Sequence, residues 1–217
     1  MERLALLVLS SLILPGILAS SLPDQRPAYE KRTYHSSAID DLIAQLKPLF
    51  ANEDVATIFS NSLPNTLDTT VSYATPNPEN VAHDLWDSFV ITGDIDALWL
   101  RDSMNQVIPY IPYAKEDSSL QYLLEGLINR HAKSVLIDPF ANAFNFNASR
   151  EGHKSDIRTP PMTPSVFEGK YEIDSLAAFL KLSYWYWYYT GDEALLRFAD
   201  STWFSSVQTL LKTGKRE

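Results

Sequence analysis

The chain has 217 residues, of which 45% are hydrophobic and 21% are charged, and its formal net charge is -9. This balance is typical of a globular protein and excludes a disordered chain, which would be poorer in apolar groups. The acidic balance, with no basic cluster except a short tail at Lys212, Lys215 and Arg216, argues against a nucleic-acid partner. The absence of cysteine excludes disulfides, thiolate metal sites and cysteine nucleophiles.

The first residues have the pattern of a secretory signal. Arg3 is followed by an apolar run from Leu4 to Leu14, which is shorter than the roughly 20 residues needed to cross a bilayer. We therefore predict a signal peptide over 1–19 and a secreted or secretory-pathway protein, with an uncleaved membrane anchor as the alternative. No later segment of the sequence is long and apolar enough for a membrane span, so we expect no membrane contact after signal removal.

A glycosylation sequon agrees with this route. Asn147 is followed by Ala148 and Ser149, which is the pattern of an N-glycosylation acceptor in a polar stretch. A lone sequon also arises by chance, so Asn147 is a predicted glycosylation site that adds little weight by itself.

Residues 20–35 are polar and contain proline, and we predict a leader arm there, followed by a helical domain over 36–217. Ser36 or Ser37 can cap a first helix. Asn52 can start a second helix, with Val55, Ile58 and Phe59 on one side. Four more helices are predicted from apolar spacing, at Ser103–Tyr113, Ser118–Leu136, Asp174–Thr190 and Asp192–Leu211.

Long segments without a helical period separate these helices. Residues 64–78 are rich in Thr, Asn and Pro and predict a loop with a short strand. Residues 138–167 are too rich in aromatic and charged groups to be a plain linker. Helix hairpins joined by long loops predict an all-α solenoid or α/α barrel, and no alternating β/α fold.

A first cluster of polar groups precedes the helix at Ser103. The stretch from Thr92 to Ser103 contains three carboxylates, an arginine and a tryptophan. Sugar recognition uses such groups, because carboxylates accept hydroxyl hydrogens, arginine donates in a fixed fork and an indole covers the apolar face of a ring. A structural interpretation stays open, in which Asp102 caps the helix and Arg101 pairs with Asp94 or Asp96.

A second cluster runs from Tyr171 to Ser175. Asp174 has the position of an N-cap, and Glu172 lies beside it near the positive end of a helix. Carboxylates there stay ionised, which suits hydroxyl binding or general-base work. A plain capping role is again the alternative. The aromatic run from Tyr184 to Tyr189 is more typical of helix packing than of a stacking platform.

Three segments together resemble glycoside hydrolase family 125, the metal-independent exo-α-1,6-mannosidases. They run from Val90 to Ser103, from Asp138 to Asn145 with Gly152, His153 and Asp156 after it, and from Lys170 to Leu176. Their order and character match the family, and the similarity covers most of the chain from Ser36 onward. Leu98 replaces the methionine usual in the family, a volume-conserving change.

The resemblance implies an (α/α)6 barrel and inverting hydrolysis of terminal α-1,6-linked mannose without metal or other cofactor. The implied partner is a mannose-containing oligosaccharide or glycoprotein glycan. An inverting enzyme pairs a carboxylic acid with a carboxylate base that activates water. The residues implied to bind the terminal mannose are Asp96, Arg101, Asp102, Asn142, Asn145, His153, Glu172 and Asp174.

The sequence departs from the family in length. Twelve helices of roughly 12 residues with their loops need well over about 300 residues. The Arg-Pro-Ser-Asp-Asp type of motif expected to carry the acid does not occur in this sequence, so we assign no catalytic acid or base. We expect the N-terminal half of an α-mannosidase. A non-catalytic mannose-binding or vestigial secreted protein, and an unrelated secreted helical protein, are the alternatives.

Overall fold

The computed structural model describes residues 22–148, 152, 157–194 and 201–215. Helices dominate it, as the sequence predicts, and the predicted signal peptide lies outside the described residues. The helices are α1 (Ser37–Leu46), α2 (Glu53–Ser62), α3 (Asn65–Thr69), α4 (Leu100–Val107), α5 (Ser118–Ile137), α6 (Ile173–Thr190) and α7 (Thr202–Gly214). None of the described helices has the length and apolar character of a membrane span.

The structure contains five short strands in the described residues, and only the first of them lies in a segment, residues 64–78, where the sequence predicts a strand. They are β1 (Val71–Ala74), β2 (Ser88–Val90), β3 (Leu98–Trp99), β4 (Ala143–Phe144) and β5 (Val166–Glu168). The first two pair antiparallel, and the other three form an antiparallel sheet in the order β3-β4-β5. The fold is helix-rich, which is consistent with the all-α prediction, and it carries two small sheets besides the helices.

The N-terminal ends of the first two helices follow the predicted capping chemistry. The Ser36 hydroxyl accepts the Ile39 N–H, and the Asn52 side chain accepts the Val55 N–H. The predicted apolar face of α2 is wrong, however, because Val55 and Ile58 are 47% and 53% exposed. The fully buried residues of α2 are the small ones, Ala56, Thr57 and Ser60, while Phe59 of the predicted face is half-buried against the core.

The later helix boundaries are partly as predicted. α4 begins at Leu100, three residues before the predicted start, and its continuation over Ile108–Tyr113 is a 3-10 helix that contains two prolines. α6 ends at Gly191, whose φ of 71° is the left-handed conformation that glycine adopts easily. Of the helix predicted over Asp192–Leu211, residues 192–193 are irregular, residues 195–200 lie outside the described part of the chain, and the remainder belongs to α7, which Ser201 caps.

The core surrounds α5, which packs against β2, α6 and α7. Leu123, Leu127 and Phe179 are completely buried there. Ser206 donates to the Ala132 carbonyl across the α5–α7 contact at 2.7 Å. A buried carboxylate also joins elements, since Glu125 of α5 accepts a hydrogen bond from the Tyr186 hydroxyl of α6.

The aromatic run on α6 divides between core and surface. Tyr186 is fully buried and Trp185 is half-buried against the core, which fits the packing role predicted for the run. Tyr184 and Tyr188 are 50% and 58% exposed and stack on each other with ring centroids 6.0 Å apart. Four of the six aromatic residues of the run, Tyr184, Trp187, Tyr188 and Tyr189, are thus exposed at the surface of the described structure.

Residues 22–35 lie along the helical body. Arg26 donates through Nε and Nη2 to both carboxylate oxygens of Asp68, at 2.8 and 3.0 Å, and through Nη1 to Asp40 at 2.9 Å. The Tyr34 N–H donates to the Leu67 carbonyl, and the Tyr34 hydroxyl donates to the Ser119 carbonyl. Residues 22–35 are therefore bound to the rest of the protein through the guanidinium of Arg26 and through the backbone and hydroxyl of Tyr34.

Asp117 joins the N-terminal ends of two helices. It is 7% exposed, and its carboxylate accepts from the backbone of Ser119 and Leu120 at the start of α5. It also accepts from the Ser36 hydroxyl at 2.6 Å and the Ala38 N–H at 3.2 Å at the start of α1. Burial alone would raise the pKa of Asp117, but these hydrogen bonds outweigh it and lower the pKa.

We expect Asp117→Ala to lower the free energy of unfolding by about 2 kcal/mol at pH 7, the upper range for a lost N-cap. A carboxyl whose pKa is lower in the folded than in the unfolded state stabilises the folded protein at pH values above its unfolded pKa of about 3.9. This stabilisation is lost as the pH falls through the pKa of the folded state. Urea unfolding of wild type and variant at pH 7 and pH 3 should show the difference shrinking at pH 3. Equal stability at pH 7 would contradict the double capping role.

Candidate functional site

The three-stranded sheet positions most of the sequence-predicted site residues. β3 runs directly into α4, which places Arg101 and Asp102 in the first turn of that helix. β4 lies between Asn142 and Asn145. β5 is followed by the chain that leads to Glu172 at the start of α6. Segments far apart in the sequence therefore converge on one sheet.

Arg101 is the centre of a charged cluster. Its Nη1 donates to Glu172 Oε2 at 2.9 Å and to Asp174 Oδ2 at 3.1 Å, while Nη2 lies 3.4 Å from Asp102 Oδ2. The side chains are partly open to solvent, with 37% of Arg101 and 57% of Asp174 exposed. The cluster, which we call the Arg101 cluster, joins two sequence motifs and can reach a ligand at the surface.

The charges of this cluster favour hydroxyl recognition. The hydrogen bond to Asp174 and the charges of Glu172 and Asp102 raise the pKa of Arg101, against the opposing effect of its partial burial. One guanidinium faces three carboxylates, so the cluster has more acceptors than the arginine can satisfy. Carboxylate oxygens that face solvent are good acceptors for sugar hydroxyls, and a guanidinium donates in a fixed direction.

The structure decides against the local alternatives for these residues. The N-cap of α4 is Trp99 and that of α6 is Glu172, neither with a side-chain capping bond, so the predicted capping role of Asp174 is wrong. The Glu172 carbonyl accepts the Ser175 N–H and starts α6 through the backbone. The side chain of Asp174 is instead directed to Arg101, a residue 73 positions earlier.

An open pocket of about 460 Å³ lies at the end of the three-stranded sheet where Asp96 precedes β3 and Asn145 follows β4, and none of the residues of the Arg101 cluster lines it. Polar groups of Asp96 and Asn145 line it, and three aromatic rings contribute apolar surface. Tyr73 and Phe146 have ring centroids 4.8 Å apart, and Phe167 completes the aromatic group. The full lining is Ser72, Tyr73, Asp96, Asn145, Phe146, Asn147 and Phe167. Aromatic faces with a few polar groups suit a sugar ring.

The other predicted residues have different surroundings. Asn142 is fully buried, its Nδ2 donates to Glu168 at 2.6 Å, and its Oδ1 accepts the Lys170 N–H. Asn145 is 5% exposed and donates to the Pro164 carbonyl at 3.1 Å. His153 lies outside the described residues. Asn147, the predicted glycosylation site, is exposed beside the pocket.

Sequence reasoning missed Glu168 and the contribution of β1 to the pocket. Glu168 accepts hydrogen bonds from Trp99, Asn142 and Lys170. Only its closeness to Glu172 in the sequence could have pointed to it. Ser72 and Tyr73 stand in a segment read mainly as loop, and no spacing signal connects them with Phe146.

The described residues contain no group of three or more His, Asp or Glu side chains arranged to hold a metal ion. The carboxylates of the Arg101 cluster lie close together because each of them contacts the guanidinium of Arg101. The arrangement can therefore bind a polar, hydroxyl-rich ligand through charged hydrogen bonds and aromatic contact.

The sequence resembles both a family model and a curated protein. The family model of the metal-independent α-mannosidases (GH125) matches residues 52–217. A Schizosaccharomyces pombe protein, the meiotically up-regulated gene 157 protein, is 42% identical over 197 residues, which cover 88% of this chain and 37% of that protein.

A solved structure also resembles this chain. It is a Streptococcus pneumoniae metal-independent α-mannosidase in a non-productive complex with α-1,6-mannobiose, with a TM-score of 0.70 and 31% identity. The match covers 83% of this chain and 39% of the solved chain, so this chain spans little more than a third of both relatives. Because the family model matches well over half of the sequence, the chain belongs to the metal-independent α-mannosidase family, GH125.

Proposed function

We propose that this protein acts in the processing of mannose-containing glycans as a secreted exo-α-1,6-mannosidase, and that the Arg101 cluster and the pocket lined by Asp96 and Asn145 belong to the site that binds the terminal mannose. The observation that carries the proposal is the contact of Arg101 with both Glu172 and Asp174, which joins two family motifs into one polar group. The solved relative is complexed with α-1,6-mannobiose, which supports this linkage.

Several features support the finer parts of the proposal. The (α/α)6 barrel is supported by the helix-rich fold and by the similarity to the solved mannosidase. The secretory route is supported by the apolar run from Leu4 to Leu14 and by the exposed position of Asn147. The cofactor-free character is supported by the description of the family as metal-independent.

Arg101→Ala tests the proposed site. We expect release of mannose from α-1,6-mannobiose by the full-length protein to fall about 100-fold or more, because the variant lacks the proposed guanidinium donor to the sugar and a hydrogen bond from a charged group is worth about 1.5–3 kcal/mol. The thermal midpoint should change little, since Arg101 is partly exposed. Lys181→Ala is the matched control, because it removes an exposed cation from the body of α6.

The outcomes separate the possible functions. If Arg101→Ala releases mannose at the wild-type rate, the Arg101 cluster stabilises the fold and does not bind the substrate. A wild-type protein that binds mannobiose without cleaving it would favour the alternative of a non-catalytic mannose-binding protein. A wild-type protein whose melting temperature does not respond to mannose or mannobiose would contradict both proposals.

A further inference from the structure

Glu168 is a buried charge at the junction of all three strands of the sheet. It lies on β5 and is 7% exposed. Its Oε2 accepts from Trp99 Nε1 of β3 at 3.2 Å and from Asn142 Nδ2, just before β4, at 2.6 Å. Its Oε1 accepts from Lys170 Nζ at 2.6 Å. One carboxylate thus fixes side chains from three segments.

The carboxylate is held in its ionised form. Burial alone would raise the pKa of Glu168, but the hydrogen bonds from Lys170, Asn142 and Trp99, together with the charge of Lys170, lower the pKa. A buried carboxylate without hydrogen-bond donors raises the free energy of the folded state. Movement of any one donor away from Glu168 is therefore unfavourable, and the donors are held in place. The orientation of Trp99 is therefore coupled to Glu168.

Trp99 connects this network with Phe167, a residue of the pocket lining. Its indole N–H is bound to Glu168, and its ring is only half-buried. The ring centroid is 5.3 Å from that of Phe167, which lines the pocket. An indole whose polar edge is fixed inside the protein leaves its apolar surface available for contact with a ligand. Two residues later the chain reaches Arg101.

We propose that Glu168 is a positioning residue for the sugar site, which holds Trp99 as an apolar platform beside Phe167 for the face of a mannose ring. This role rests on the proposed function. Glu168 itself touches no ligand. It acts by restricting the indole to one orientation before the sugar arrives, so that little ordering is left to occur on binding.

The test uses the full-length protein labelled with 5-fluorotryptophan, with α-1,6-mannobiose as the probe. The chain has five tryptophans, and the Trp99 fluorine resonance is identified by its loss in Trp99→Phe. In Glu168→Gln we expect the Trp99 resonance to move or broaden while the other four stay, and the mannobiose Kd to rise about tenfold. Glu116→Gln, at an exposed glutamate, is the matched control.

A double-mutant cycle separates positioning from general structural damage. If Glu168 acts through Trp99, Glu168→Gln should weaken mannobiose binding much less in a Trp99→Phe background than in wild type. Fully additive effects would overturn the proposal. An unchanged Trp99 resonance in Glu168→Gln, or a moved resonance with unchanged Kd, would overturn it as well.

Two further outcomes are informative. If all five resonances lose their dispersion in Glu168→Gln, that variant is unfolded, and Trp99→Phe is used as the test instead. Trp99→Phe keeps an aromatic ring but lacks the indole N–H. A wild-type mannobiose Kd in Trp99→Phe would overturn the proposal. If the wild-type protein does not bind mannobiose, the proposed function and this role fail together. Failure in the variants alone overturns only the role of Glu168.

Discussion

Arg26→Ala is expected to lower the free energy of unfolding by about 3 kcal/mol. Arg26 provides two of the hydrogen bonds to Asp68, whose side chain is only 3% exposed. Removal of one partner from a buried ion pair costs about 3–5 kcal/mol, because a charge remains buried without compensation. Arg32, whose Nε is 3.6 Å from Asp68, keeps the expected loss at the lower end.

Urea unfolding of the purified protein measures this effect, and two variants act as controls. Lys31→Ala removes an exposed cation from the same segment and should change the unfolding free energy by less than about 0.5 kcal/mol. Adding Asp68→Asn to Arg26→Ala should recover part of the stability, because a buried amide costs less than a buried unpaired carboxylate. An Arg26→Ala variant as stable as wild type would show that residues 22–35 are not attached in solution.

The sequence predicted those features that depend on neighbouring residues. Ser36 and Asn52 each accept a hydrogen bond from the N–H three residues later, and Gly191 provides the left-handed residue that ends α6. Such capping depends on local geometry, so residue types at short spacing indicate it. The apolar spacing of α5 likewise corresponds to a helix in which Leu120, Leu123, Leu124 and Leu127 are buried.

The strands of the three-stranded sheet could not be predicted, because their partners are distant in the sequence. Leu98 pairs with Phe144 and Phe144 pairs with Val166, and each strand of this sheet has only two or three residues. So short a strand has no measurable alternation of apolar and polar residues. The pairing is decided by the tertiary structure, and with it the position of every residue at the ends of the strands.

The site was predictable by family resemblance more than by spacing. Spacing left open a local pairing of Arg101 with nearby aspartates, whereas the structure pairs it with Glu172, 71 residues away. Asp174 does not cap α6, because the helix begins at Ile173 and the Asp174 side chain accepts a hydrogen bond from Arg101. Glu168 was missed because its significance depends on Trp99, which lies 69 residues earlier and becomes a neighbour only when β3, β4 and β5 assemble.

Gly126→Ala is expected to destabilise the protein by about 3 kcal/mol, although alanine favours an isolated helix by about 1 kcal/mol over glycine. Gly126 lies in α5 where that helix crosses β2. A Cβ at this position would stand 2.5 Å from Ser88 Oγ and 2.9 Å from the Asp87 carbonyl carbon. The hydroxyl can rotate away, but the backbone of Asp87 can move only if β2 moves from the helix.

Gly214→Ala is the matched control, since Gly214 also lies in a helix and a Cβ there would meet only Ile173 Cδ1 at 3.9 Å. This variant should be as stable as wild type or slightly more stable in thermal and urea unfolding. The displaced β2 should also disturb its antiparallel partner β1, which carries Tyr73 of the pocket. A Gly126→Ala protein with wild-type stability would mean that the α5–β2 contact is looser than these distances require.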